Sequence, residues 1–203
     1  MTSSLTRPLA PALLVAALAL SACSGEEEAA FVESASASPS QAPDASAETD
    51  AVTQESAAAA GVDLSDISNP IAAATAPAQV RGDPEATMDV RLLSLTRDGQ
   101  TLIGIFSFTV NSELVDEETA SLFGYLGNAF WTPYLVDATN LTRHDVLSGE
   151  GGVQTVTDSA GVRFSPGQTL FGYAAFAAPP EDITSVTVSL VDSAPAAVNV
   201  PIQ

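Results

Sequence analysis

Apolar residues alternate with polar ones along the C-terminal part of the chain, and this period of two constrains the fold most strongly. The pattern occurs at Met88–Leu92, Phe106–Val110, Val186–Leu190 and Val198–Ile202. Successive side chains of a β-strand point to opposite faces, so each stretch predicts a strand with one face on a core and one in water. Residues 81–203 are therefore predicted to form an all-β domain.

Turn signals separate these predicted strands. Asp98-Gly99 lies between the first two, as a tight hairpin requires. Ser165–Gln168 has Pro and then Gly at the central positions of a type II turn, and this turn would start a strand at Thr169–Ala177. Six to eight short strands without long amphipathic helices favour an antiparallel two-sheet β-sandwich, with a closed barrel as the alternative. For Glu117–Phe130 a short helix, an edge strand and a loop all remain open.

The N-terminus has the pattern of an export signal. Arg7 precedes an apolar run of 12 residues, Leu9–Leu20, which is too short to span a bilayer as a helix. The run ends in Leu20-Ser21-Ala22-Cys23, which contains the one Cys of the chain. This tetrapeptide resembles the lipobox of bacterial lipoproteins. The resemblance implies that residues 1–22 are a signal peptide, and that Cys23 carries a diacylglycerol and becomes the first residue of the mature chain.

Residues 23–80 differ in composition from the rest of the chain. They are rich in Ala and Ser, carry acidic residues and no Arg, Lys or His, and contain Phe31 as their one aromatic residue. Such a segment has too little bulky apolar surface to offset the entropy lost on folding. After the lipidated Cys23, it is predicted to be a disordered acidic linker that holds the domain away from the membrane.

The order of motifs in the C-terminal part carries a second resemblance. The motifs are Tyr134–Asp137 followed by Asn140-Leu141, Ser165–Gln168, Phe176–Pro180 and Val186–Val188. This series is similar to the immunoglobulin-like domain of uncharacterised surface lipoproteins of high-GC Gram-positive bacteria. The resemblance covers residues 87–203, and it implies an immunoglobulin-like sandwich on the outer face of the cytoplasmic membrane.

Charge and composition exclude several classes of function. The chain has six basic residues, all Arg, against 25 acidic ones, and a net charge of −19. Nucleic acids and anionic membrane surfaces are bound by clustered Lys and Arg, so neither is an expected electrostatic partner. One His and one Cys exclude a four-ligand zinc finger and a disulfide framework.

The sequence predicts no catalytic residue, no cofactor and no metal site. His144 is followed by Asp145, but neighbours in a strand point to opposite faces, so this pair does not form part of a catalytic triad. His144 is predicted to be an edge or surface residue. The acidic run Asp116–Glu118 predicts a solvated loop, and Asp137 with Asn140 offers too few ligands for Ca²⁺.

Four aromatic residues lie close together in sequence: Tyr125, Phe130, Trp131 and Tyr134. Exposed, they would form a stacking platform for a sugar or a partner protein; buried, they would belong to the sandwich core, which is the favoured interpretation. Trp131 and Tyr134 are the candidate ligand-binding residues.

The predicted function is that of an extracytoplasmic lipoprotein, anchored in the bilayer through acylated Cys23, with a non-catalytic role in binding or envelope assembly. An envelope protein or a glycan would be its partner. A carbohydrate-binding or hydrolase-associated module and a calcium-dependent adhesion module are the alternatives.

Overall fold

A computed structural model of the protein describes residues 45–62, 69–114 and 119–203, with the backbone alone for residues 45–52 and 150. The predicted signal peptide at 1–22, Cys23 and the acidic run Asp116–Glu118 lie outside the described residues. The described residues all belong to one compact unit.

Strands make up most of the regular structure. The helices are α1 (Ala45–Ala60) and α2 (Leu122–Tyr125), and a short 3₁₀ turn covers Glu150–Gly152. The strands are β1 (Ala72–Pro77), β2 (Thr87–Asp98), β3 (Thr101–Asn111), β4 (Ala120–Ser121), β5 (Tyr134–Asp137), β6 (Thr142–Asp145), β7 (Arg163–Phe164), β8 (Thr169–Ala177), β9 (Ser185–Ser189) and β10 (Ala197–Pro201).

Two four-stranded sheets face one shared core. Their strand orders are β1-β2-β3-β8 and β10-β9-β5-β6, and β4 pairs with β7 in a small separate ladder. All these pairings are antiparallel. Met88, Phe106 and Phe108 from the first sheet and Leu135 and Val188 from the second are fully buried in one apolar cluster. The prediction of an all-β sandwich with antiparallel strands is confirmed at this level.

The turn predictions are also confirmed. β2 and β3 form a hairpin in which Asp98 pairs with Thr101, and Gly99 has the positive φ of +57° that this tight turn requires. The N–H of Gln168 donates to the carbonyl of Ser165 at 3.0 Å. Gly167 has a φ of +85° in this turn, and β8 begins directly after it.

The prediction of a disordered linker up to residue 80 needs correction for two segments. β1 (Ala72–Pro77) pairs with β2 at the edge of the first sheet. An edge strand of small residues is held by ladder hydrogen bonds, which do not depend on bulky side chains. α1 packs against β8, where the N–H of Phe171 donates to Oγ of Ser56 at 3.1 Å. Within the described part of the chain, no helix has the length and apolar character needed to cross a membrane.

One predicted alternation is wrong in part. Val200 is buried, as expected, but Val198 is 67% exposed. The pairing of β10 with β9 shifts register between Ala197 and Val200, and Asn199 has a φ of +56°. This bulge changes the phase of the strand, so side chains two residues apart no longer share a face.

Candidate functional site

Trp131 lies in the core, which confirms the favoured prediction for this residue and rules out its use as an exposed stacking platform. The side chain is 2% exposed. The rings of Phe106 and Phe108 meet its indole edge-to-face, each at a centroid distance of 4.9 Å. The indole N–H donates to the carbonyl of Leu190 at 2.8 Å, which satisfies its one polar group.

Tyr134 lies on the opposite side of the second sheet from Trp131. It begins β5, where the next residue, Leu135, is buried toward the core. The guanidinium of Arg143 stacks over the Tyr134 ring at 3.8 Å from its centroid, and Arg143 Nε also contacts Asp145 at 2.7 Å. The structure therefore does not bring the two candidate residues together.

Phe130, the residue before Trp131, is the aromatic group that faces solvent. It is 67% exposed, and its ring packs against Phe123 at a centroid distance of 4.9 Å. Phe130 lines a surface cavity of about 300 Å³, here called the aromatic cavity. Its lining residues are Leu126, Ala129, Phe130, Trp131, Thr132, Val191, Asp192 and Ser193.

The local sequence shapes the first wall of the aromatic cavity. Ser121 caps α2 by accepting a hydrogen bond from the N–H of Gly124 at 3.2 Å. After this single helical turn, Gly127 and Asn128 both adopt positive φ, +74° and +63°, which Gly and Asn tolerate best. The N–H of Asn128 donates to the carbonyl of Phe123 at 3.0 Å. The chain thereby reverses direction and places Phe130 beside Phe123.

The second wall is a turn that follows β9, and it is tied to the first. The N–H of Ala194 donates to the carbonyl of Val191 at 3.2 Å, which closes the turn that presents Asp192 and Ser193. The buried hydrogen bond from Trp131 to the carbonyl of Leu190 joins the two walls. Hydrogen bonds within the fold therefore hold both walls of the aromatic cavity.

The chemistry of the aromatic cavity is mixed. Leu126, Ala129 and Val191 supply an apolar part, while Thr132 and Ser193 supply hydroxyl groups. Asp192 is the one charged residue among the lining residues. The cavity therefore offers an aromatic surface, hydrogen-bonding groups and a single negative charge.

The β5–β6 turn holds a carboxylate that serves the fold. Asp137 is 1% exposed and accepts hydrogen bonds from the side chain of Asn140 at 2.7 Å and from the N–H groups of Thr139 and Asn140. These bonds, the Asn140 side chain first, hold the pKa of Asp137 below its usual range although burial opposes them. His144 lies on β6, the edge strand of the second sheet, as predicted.

A groove of about 440 Å³ lies beside α1. Ser56, Ala59 and Ala60 of α1 line one side, and Leu170 and Phe171 are among the residues on the other. α1 covers Phe171 on the outer face of β8, and Ser56 pairs with a backbone N–H of that strand at the sheet edge. Covering an edge in this way prevents pairing with other chains, so we assign the contact to protection of the fold.

Among residues 45–62, 69–114 and 119–203, no group of three or more His, Cys, Asp or Glu side chains is close enough to share a metal ion. Comparisons of the chain with protein-family models, with curated proteins and with solved structures gave no match. The aromatic cavity is therefore identified by its geometry alone. Sequence patterns did not separate Phe130 from Trp131, because two aromatic neighbours carry the same local signal.

Proposed function

We propose that the protein is a lipid-anchored protein of the cell envelope whose β-sandwich domain binds a partner without catalysing a reaction. The observation that carries the proposal is the position of the single Cys, which ends the tetrapeptide Leu20–Cys23 directly after the apolar run. A thioether-linked diacylglycerol supplies two acyl chains, and two chains are enough for stable anchoring where one is marginal.

The proposal places the domain outside the cytoplasm, on the outer face of the cytoplasmic membrane if the cell is Gram-positive. Residues 24–44 would then form the membrane-proximal part of the linker. Classification of the sandwich as immunoglobulin-like is part of the same proposal, and its two four-stranded antiparallel sheets support it.

The aromatic cavity supports the binding role. Exposing a large aromatic ring to water is unfavourable, and an exposed aromatic beside hydrogen-bonding groups is typical of binding surfaces. Phe130 is held in this arrangement by Phe123 and by the anchoring of Trp131. We therefore assign partner binding to this end of the sandwich.

Mass spectrometry of the native protein tests the anchor. We expect a mature N-terminus at Cys23 with a diacylglycerol on its sulfur, and partition of the protein into the detergent phase. The Cys23→Ala variant should lose the lipid and either be released from the membrane fraction or stay unprocessed. Ser21→Ala is the matched control, because it keeps a small residue before the cleavage site. A native chain with a free thiol, or a processed Cys23→Ala chain that stays in the membrane, would contradict the proposal.

A further inference from the structure

We propose that the aromatic cavity binds a neutral saccharide carrying an acetamido group, that is, a glycan of the N-acetylhexosamine class. The inference rests on the binding role proposed above and names its ligand class. Four features of the cavity carry it: an exposed ring, a polar rim, an apolar wall and a negative charge.

The exposed ring provides a stacking surface. Phe130 lines the cavity, whereas its partner Phe123 packs against the ring without being part of the lining. Phe130 is thus held by contact with Phe123 and also lines the cavity. The π-face of an aromatic ring is electron-rich, so it attracts the C–H groups that one face of a pyranose ring presents.

The polar rim provides hydrogen bonds around that stacking surface. Thr132, Asp192 and Ser193 are all exposed at the cavity. Their hydroxyl and carboxylate oxygens accept hydrogen bonds from sugar hydroxyls, and the two hydroxyls also donate. This combination of a ring face with several exposed oxygens fits a polyhydroxylated ligand better than a purely apolar one.

The apolar wall points to the acetamido group. Leu126 is half-buried and Ala129 is exposed, so both offer apolar surface to the cavity, whereas Val191, also in the lining, is buried. A sugar with hydroxyl substituents alone would place polar groups against this wall without partners, which is costly. The methyl of an acetamido substituent is apolar and would bury surface there.

The charge of the lining disfavours anionic glycans. Asp192 is the one charged residue among the lining residues. Its carboxylate would repel an acidic polysaccharide. At about 300 Å³ the cavity is at the lower end of ligand-binding pockets, which suits a single sugar ring of a longer chain.

A titration with three matched trisaccharides tests the inference. The probes are the β-linked trimer of N-acetylglucosamine, cellotriose, which lacks the acetamido groups, and the fully deacetylated trimer, which is cationic. The protein is the full chain carrying Cys23→Ala, labelled with ¹⁵N and observed by NMR. We expect the acetylated trimer to bind with a Kd of about 1 mM and to shift the backbone amides of residues 126–132 and 191–193.

Cellotriose should bind at least about fivefold more weakly, because it lacks the methyl groups that contact the apolar wall. If the acetylated trimer at about 10 mM, ten times the expected Kd, produced no saturable chemical-shift changes, the inference would be overturned. Equal binding of cellotriose would overturn the acetamido assignment. Stronger binding of the deacetylated trimer that persists with added salt would show that the cavity does not recognise the acetamido groups and would also overturn the inference.

Variants of Phe130 locate the site. Phe130→Ala should weaken binding by about tenfold, whereas Phe130→Trp should preserve it because it keeps an aromatic face. Val153→Ala is the matched control, since Val153 is exposed outside the cavity. Unchanged affinity in Phe130→Ala would overturn the inference. Because the titrated chain carries no lipid, failure of this test leaves the anchoring proposal intact, and failure of anchoring leaves this one intact.

Discussion

At the scale of single residues, Phe130 and Trp131 show how adjacent aromatic side chains take opposite roles. Trp131 has a polar group that can be satisfied inside the core, and the carbonyl of Leu190 accepts its N–H. Phe130 points the other way, where Phe123 covers only part of its ring. The buried ring positions the loop, and the exposed ring is available to a ligand.

Trp131→Phe should destabilise the domain by about 2 kcal/mol. The substitution keeps an aromatic ring but leaves the buried carbonyl of Leu190 without its donor, and it opens a small cavity. Urea unfolding followed by far-UV circular dichroism measures the change. Phe130→Ala is the adjacent control and should change stability by no more than about 0.5 kcal/mol, because that side chain is exposed. Equal losses in the two variants would contradict the assigned environments.

Asp137 should make stability depend on pH in the acid range. Its pKa is lowered in the folded state by the hydrogen bonds from Asn140 and Thr139. Because its pKa is lower in the folded state, the ionised carboxylate stabilises the fold at pH values above the unfolded-state pKa of about 3.9. This contribution is lost as the pH falls through the folded-state pKa.

The pH dependence of the melting temperature of wild type and Asp137→Asn tests this sign. The variant should be less stable at pH 7, and the difference should shrink below about pH 4. Asp182→Asn serves as the control, since Asp182 is exposed and lies outside the hydrogen-bonded turn. A difference between wild type and Asp137→Asn that stays constant down to pH 2 would show that the ionised carboxylate is not the stabilising form.

At the scale of elements, β2 departs from simple alternation at a register shift, and one of its side chains binds a distant segment of the chain. β2 shifts register between Leu92 and Ser94, so that Leu95 is buried out of phase with Leu92. Near the C-terminal end of β2, the guanidinium of Arg97 donates to the carbonyls of Pro179, Pro180 and Ile183, at 2.8 Å, 3.4 Å and 3.4 Å. Arg97 thus ties β2 to the connection between β8 and β9.

Arg97→Lys should cost about 1–2 kcal/mol in unfolding free energy, since an ammonium group cannot reproduce the planar set of donors that spans three carbonyls. Arg91→Lys on the same strand is the matched control, because Arg91 is exposed, and it should have little effect. Chemical denaturation of both variants measures the difference. If Arg97→Lys were as stable as Arg91→Lys, the clamp would have no role in stability.

At the scale of the whole molecule, the folded domain begins N-terminal to residue 81, where the amino-acid composition changes. β1 pairs with β2 through six successive residue pairs, and Ala76 is buried within the shared core. α1, which precedes β1 in the chain, covers part of β8 at the other edge of the same sheet. Segments of the predicted linker therefore lie at both edges of the first sheet, where β1 forms one edge and α1 packs against the other.

A chain that begins at residue 81 should be less stable than one that begins at residue 69. Removing β1 leaves the outer hydrogen-bonding groups of β2 unpaired and uncovers apolar surface, a loss of at least about 2 kcal/mol with a tendency to aggregate. Denaturation midpoints and light scattering of the two fragments measure this. Equal midpoints for both would show that the strand does not contribute to the fold.

Strand positions, the Gly99 and Gly167 turns and the antiparallel sandwich were predictable from the sequence, because pleat periodicity and positive φ are local properties of the chain. The strand of alanines at Ala72–Pro77 was not, because a ladder partner holds it and its own side chains carry no signal. The opposite environments of Phe130 and Trp131 were not predictable from the sequence either. Which of two adjacent rings faces the core depends on Phe106, Phe108 and Leu190, residues that only the folded chain brings together.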